Sequence, residues 1–148
     1  MDWAVIGKIL LASLLGLMIG IERTVHNSPA GLRTYAAICI GACLFGVLST
    51  HVEGPSFYAS GVDPSRIAGQ IVSGIGFIGG GVIFKSGDTT HGLATAATIW
   101  VAAAIGLSVA FSQYSAAVVT TMIIIFLLAL NQMPFWIKFK NRYSHKLP

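Results

Sequence analysis

Charge is what this chain most conspicuously lacks. Of its 148 residues only 9% are Asp, Glu, Lys or Arg, against roughly a quarter in ordinary soluble domains. That shortage excludes a disordered tail and a nucleic-acid-binding module, both of which need many exposed charges. It also makes a water-soluble enzyme a poor fit. Catalytic signatures are missing too: there is no GxSxG, HExxH or Walker loop and no paired set of catalytic carboxylates, so the expected protein is not an enzyme. Cysteine is limited to Cys39 and Cys43. Four apart in one apolar run, they share a helix face and cannot easily reach disulfide geometry, so they read as small apolar residues.

What the chain has is apolar length, 55% of it hydrophobic. A helix needs about 20 mainly apolar residues to cross the hydrocarbon layer. Five runs qualify, over residues 3–21, 34–50, 67–84, 93–111 and 116–137. The predicted fold is therefore all-α, an integral membrane bundle of five transmembrane helices forming one domain over residues 1–137, with a basic tail over 138–148. The first run carries Asp2 rather than a basic cluster and lacks a small-x-small cleavage site, so it is expected to remain as a helix. Trp3 and Trp136 fall near span ends and read as interface anchors, whereas Trp100 lies within the fourth span, in the core or facing lipid. Asn131 and Gln132 mark the lipid boundary, and Pro134 ends or kinks the last helix.

Basic residues near span ends are retained in the cytoplasm. With the tail inside, the loops over 22–33 and 85–92 are inside as well. That side then holds Arg23, Arg33, Lys85, Lys138, Lys140, Arg142 and Lys146, seven of the nine basic residues, leaving Lys8 and Arg66 for the other. The expected topology is N-terminus outside and C-terminus cytoplasmic.

Helices in lipid associate through close approach at small residues. Gly16 and Gly20 form one GxxxG pair, Gly76 and Gly80 another. The glycine-rich run from Ser73 to Gly81 reads either as a tight crossing or as a break in the third helix. The alanine-rich fourth span is smooth enough for close neighbours, so the third and fourth spans are expected at the centre.

The polar residues form two constellations. Asp63 and Pro64 suit the start of the third helix as N-cap and first helical residue. Arg66, Gln70 and Ser73 follow at spacings of four and three, a polar stripe on one face that serves either as an entry or partner site or as an interhelical hydrogen-bond network. On the cytoplasmic side the topology gathers Glu22, Arg23, Asn27, Arg33, Lys85, Asp88 and His91. Such a set can bind a metal through Glu22 and Asp88, or an anion through the arginines, or simply neutralise itself. No metal motif has adequate spacing, so a metal site stays unassigned.

Taken in order, Gly20-Ile21-Glu22-Arg23, Ala30-Gly31-Leu32-Arg33-Thr34, Asp63-Pro64-Ser65-Arg66-Ile67-Ala68, Ser73-Gly74-Ile75-Gly76-Phe77-Ile78-Gly79 and Gly92-Leu93-Ala94-Thr95-Ala96-Ala97-Thr98-Ile99-Trp100 resemble the MgtC/SapB family of bacterial inner-membrane proteins, across nearly the whole chain. The family pattern usually has Thr where Ala94 stands, so one hydroxyl is missing. The resemblance implies a multi-pass inner-membrane protein linked to growth in low magnesium and to intracellular survival in virulence. It implies a homo-oligomer, a dimer among the options, and contact with another membrane complex such as the ATP synthase. It requires no cofactor, although Mg2+ fits the theme, and no nucleic acid. Arg66, Gln70, Ser73, Gly76, Gly80, Thr95 and Trp100 join Glu22, Arg23, Arg33 and Asp63 as its motif residues. Longer relatives carry a soluble C-terminal domain, and regulation through it is expected to be absent here. The rival reading is an oligomeric conduit for Mg2+ or another small ion.

Overall fold

A computed structural model describes residues 3–50 and 65–130. Among these residues the chain forms five helices and one small hairpin, in the order α1 (Trp3–Val25), α2 (Leu32–Thr50), α3 (Ser65–Gly81), β1 (Phe84–Ser86), β2 (Thr89–His91), α4 (Leu93–Ala110) and α5 (Tyr114–Leu130). The predicted all-α membrane bundle is what the chain adopts. Helices α1, α2 and α4 are each long and apolar enough to cross a membrane, and α5 is a shorter apolar helix. Asp63, residues 131–137 of the expected fifth span, Trp136 and the basic tail lie outside the described residues.

Helix α1 ends in a Schellman motif. Asn27 adopts φ 52, and the N–H groups of Ser28 and Asn27 donate to the carbonyls of Arg23 (3.0 Å) and Thr24 (3.2 Å). Asparagine tolerates this left-handed conformation better than most residues. The turn into α2 is tied by one hydroxyl: Thr24 Oγ1 donates to the Gly20 carbonyl (2.8 Å) and accepts the Leu32 N–H (2.9 Å).

The glycine run of α3 resolves as continuous helix to Gly81. The third span was expected to reach residue 84, with a loop over 85–92. Instead, residues 84–91 form an antiparallel pair, Phe84 opposite His91 and Ser86 opposite Thr89. Gly87, at φ 59, opens its two-residue turn, and the flanking Phe84, Thr89 and Thr90 suit strands.

The centre of the bundle differs from the expectation. Helix α4 is central, with Ile99, Ala102, Ala103, Ile105 and Val109 buried, but its main partner is α2, through Tyr35, Cys39, Cys43 and Val47. Helix α3 lies at the side, with most of its residues exposed. The reason is glycine itself. Gly106 of α4 rests on the Cys39 backbone, and a Cβ there would collide with the Cys39 carbonyl oxygen. Gly16 and Gly20 of α1 take α2 equally closely, with a Cβ falling 2.7 Å from the Tyr35 carbonyl oxygen and 2.6 Å from Leu32 Cα. The first GxxxG pair is therefore a packing motif. A Cβ on Gly76 or Gly80 would meet nothing within 4 Å, so among the described residues the second pair packs against no other helix.

Candidate functional site

Two polar regions result. The first sits where α1 turns into α2. The Ser28 hydroxyl lies 3.2 Å from that of Thr95 in the first turn of α4, so the α1–α2 turn and the α3–α4 hairpin share one end of the bundle. Here Glu22 and Arg23 form an ion pair whose side chains are only 11% and 12% exposed, with Arg23 Nε 2.5 Å and Nη2 3.1 Å from the two carboxylate oxygens. His26 Nδ1 stands 3.2 Å from the same carboxylate.

The other members of the predicted cluster stand mostly exposed around this end of the bundle. Asn27 is spent on the helix cap, Arg33 is exposed on the first turn of α2, and Lys85, Asp88 and His91 stand exposed on the hairpin, where His91 stacks on Phe84 at 5.3 Å. Among the described residues no group of three or more His, Cys, Asp or Glu can hold a metal ion. Glu22 is engaged by Arg23 and by His26. What the described residues show here is local neutralisation of the Glu22 carboxylate by its basic neighbours.

The second region is a cleft of about 830 Å³ between α2 and α3. Thr34, Ala37, Ile38, Gly41, Ala42 and Phe45 form one wall. Ile67, Gln70, Ile71, Gly74, Ile75 and Ile78 form the other. Each wall spans eleven residue steps, so the cleft runs roughly 17 Å along the helices at 1.5 Å per residue. Its lining is apolar apart from Thr34 and Gln70. Gly41 and Gly74 keep it wide, since a Cβ on either would meet nothing within 4 Å. The predicted polar stripe is thus real in register, and among the described residues no other helix pairs with it. Arg66, Gln70 and Ser73 are all exposed, and the Ser73 hydroxyl returns to its own helix at the Gly69 carbonyl (3.2 Å). The glycines Gly69, Gly76 and Gly80 lie about half a turn round α3 from the cleft, and a Cβ on any of them would meet open space. Phe77, 86% exposed, stands beside them. Trp100 is half-exposed on α4 and faces outward.

Two features escaped the sequence reading. Lys8, deep in α1 and 7% exposed, donates from Nζ to the Ala110 carbonyl oxygen at 2.8 Å. An ammonium in an apolar span demands acceptors, but nothing in the sequence points to one 102 positions away. The Tyr35 hydroxyl is fully buried and faces Thr98, whose own hydroxyl donates to the Ala94 carbonyl (2.6 Å), and among the described residues no well-aligned partner satisfies it.

The chain resembles known proteins at this level of detail. The model of the MgtC family matches residues 9–133. Protein MgtC of Brucella abortus (strain 2308) is 47% identical over 122 residues, covering 82% of this chain and 48% of that protein. Protein MgtC of Salmonella typhimurium (strain LT2) is 42% identical over 148 residues, 95% and 61% of the two chains. Protein SapB of Bacillus subtilis (strain 168) is 40% identical over 121 residues, 80% and 52%. The chain thus spans about half to three-fifths of the length of these relatives. No solved structure matches it.

Proposed function

This chain belongs to the MgtC family, and from that premise we propose that it is a non-catalytic, multi-pass protein of the bacterial inner membrane that acts by helix-to-helix contact. In this reading it serves adaptation to low magnesium and survival within a host, by docking on and restraining another membrane complex, of which the ATP synthase is the leading candidate. The observation that carries it is the open small-residue face of α3. Gly69, Ser73, Gly76 and Gly80 follow one another at helical spacing, with no neighbouring helix against the glycines among the described residues. In a bilayer such a face lets another backbone approach closely, which is the main source of helix association there.

The test is a photo-crosslinking residue at Ser73, expressed in cells grown in low magnesium. A discrete crosslinked membrane subunit, lost when Gly76→Leu fills the face, is the expected result. Recovery of uncrosslinked chain alone would sink the reading.

A second reading, an ion conduit completed by an oligomer, is favoured by Thr34 and Gln70 in the cleft. Polar side chains along a transmembrane groove are what a permeation path needs. Liposomes containing the protein and showing no flux of magnesium, potassium or protons would remove it.

A further inference from the structure

Tyr35 is completely buried where α2 meets α1 and α4, and its hydroxyl is the one buried side-chain oxygen or nitrogen among the described residues with no well-aligned hydrogen-bond partner. Such a group is costly, and a core that keeps one generally completes it with a water or an ion. The surroundings of this hydroxyl are polar on one side and shut on the other. Side chains in a helix lean towards its N-terminus, which for Tyr35 is the end that holds the Glu22–Arg23 pair and the Ser28–Thr95 contact. Both charges of that pair act on the Tyr35 hydroxyl, and Thr98 faces it. Thr98 gives its proton to the Ala94 carbonyl, so its oxygen can still accept. Arg23 spends two N–H groups on Glu22 and has others to offer. One turn deeper the seam closes: Gly106 rests on the Cys39 backbone, the Cys39 thiol donates to the Ala102 carbonyl at 3.1 Å, and Ile99 and Ala102 are fully buried.

We propose that Tyr35, Thr98 and Arg23 bind water in a blind internal site at the Ser28–Thr95 end of the bundle, the water joining the Tyr35 hydroxyl to the ion pair. Charge selects this ligand. A cation would meet the Arg23 guanidinium and an anion the Glu22 carboxylate, and either would lose its hydration on entering a largely buried place. A water carries no charge, donates as well as accepts, and needs roughly two to four polar partners, which these side chains supply. The closed seam below makes the site a pocket and not a path, so solvent stops at Tyr35 and does not reach Cys39. Water here serves the ion pair as well as the phenol. A carboxylate and a guanidinium at 11% and 12% exposure stay ionised more readily when their remaining hydrogen-bonding capacity is met. Neither the small-residue face of α3 nor the cleft between α2 and α3 takes part.

The test is water-edited solid-state NMR of the full chain in phosphatidylethanolamine–phosphatidylglycerol vesicles, with tyrosine and cysteine carbon-labelled and their signals assigned through bond correlations. Polarisation from water is expected to build up at the Tyr35 ring several-fold faster than at Cys39, one turn deeper. This comparison needs no substitution, so it stands even where a variant fails to fold. Tyr35→Phe is expected to lower Tm in detergent by about 2–4 °C, the shift that one lost hydrogen bond gives in a chain of this size. Tyr35→Phe with Arg23→Lys is expected to lower it by less than the sum of the singles, because one water serves both side chains. A rise in Tm for Tyr35→Phe means that the hydroxyl has no partner at all and overturns the proposal, as does a Tyr35 ring that receives water polarisation no faster than Cys39. Additive losses in the double variant separate the phenol from the ion pair and overturn it too. A Tm that shifts when sodium chloride is replaced by N-methylglucamine gluconate, in wild type and not in Tyr35→Phe, makes the ligand an ion and overturns it equally.

Discussion

The ammonium of Lys8 completes the end of α4, a helix that begins more than eighty residues later. Three of the last carbonyls there are taken by the chain itself, with Phe111 N–H donating to Leu107, Ser112 to Val109 and Gln113 to Ser108. Ser112, at φ 60, makes this a second Schellman motif. The fourth, that of Ala110, takes Lys8 at 2.8 Å, where a cation also meets the negative end of the helix dipole. Lys8→Met keeps the apolar stem but strands that carbonyl. It is expected to lower stability by about 1–3 kcal/mol, the range for leaving a buried acceptor unsatisfied, read as a fall in Tm in detergent by circular dichroism. An unchanged Tm would mean that lipid or water replaces the ammonium.

Glycines on this chain fall into two classes that one substitution separates. Gly106→Ala drives a methyl into the backbone of Cys39, which cannot rotate away, and is expected to cost about 1–3 kcal/mol or more as overpacking. Gly76→Ala places the same methyl in open space and is expected to stabilise the isolated protomer by about 0.5–1 kcal/mol through backbone entropy alone. Parallel thermal melts check the pair. Equal effects would contradict the packing described for α2, α3 and α4.

That contrast also explains how far the sequence could be read. Five apolar runs translate into five helices because hydrocarbon length is a one-dimensional property. The family motifs were legible because their order is written along the chain. Which GxxxG pair is packed was not legible, since Gly16-x-x-x-Gly20 and Gly76-x-x-x-Gly80 are equivalent until Tyr35 and Leu32 are placed against the first. The hairpin at Gly87 was hidden for a different reason: three-residue strands are shorter than the window in which alternation can be recognised. The polar cluster was legible as far as its end of the bundle, while the partner Glu22 takes there, Arg23, and the exposed placing of Asp88 on the hairpin were not.

Glu22 supplies a prediction about magnesium. Its carboxylate is held by Arg23 and His26 inside a partly buried pair, so a metal would have to displace both. Tm in millimolar magnesium and in chelator is expected to coincide, because only a ligand that binds the folded state raises its stability. Glu22→Gln is expected to cost about 1–3 kcal/mol by leaving Arg23 without its carboxylate, and Glu22→Gln with Arg23→Gln less than the sum of the two singles. A magnesium-dependent rise in Tm that Glu22→Gln abolishes would show the carboxylate exchanging its partners for the metal.

Topology offers the most exacting test, because it joins a contact to a charge count. The hydrogen bond between Ser28 and Thr95 fixes the α1–α2 turn and the α3–α4 hairpin at one end of the bundle, whichever way the bundle is inserted. The retention of basic residues in the cytoplasm is then expected to set the insertion, since Arg23, Arg33 and Lys85 lie at that end, whereas Lys8 and Arg66 lie within α1 and α3 towards the other. Arg33→Cys and Asp88→Cys, both at exposed positions, are expected to resist a membrane-impermeant maleimide in intact cells and to react together once the membrane is opened. Cys39 and Cys43 are buried and free, so they should stay silent in the native protein. Reaction of both reporters in intact cells would invert the bundle and leave its packing standing, whereas reaction of one without the other would break the Ser28–Thr95 contact and the fold built on it.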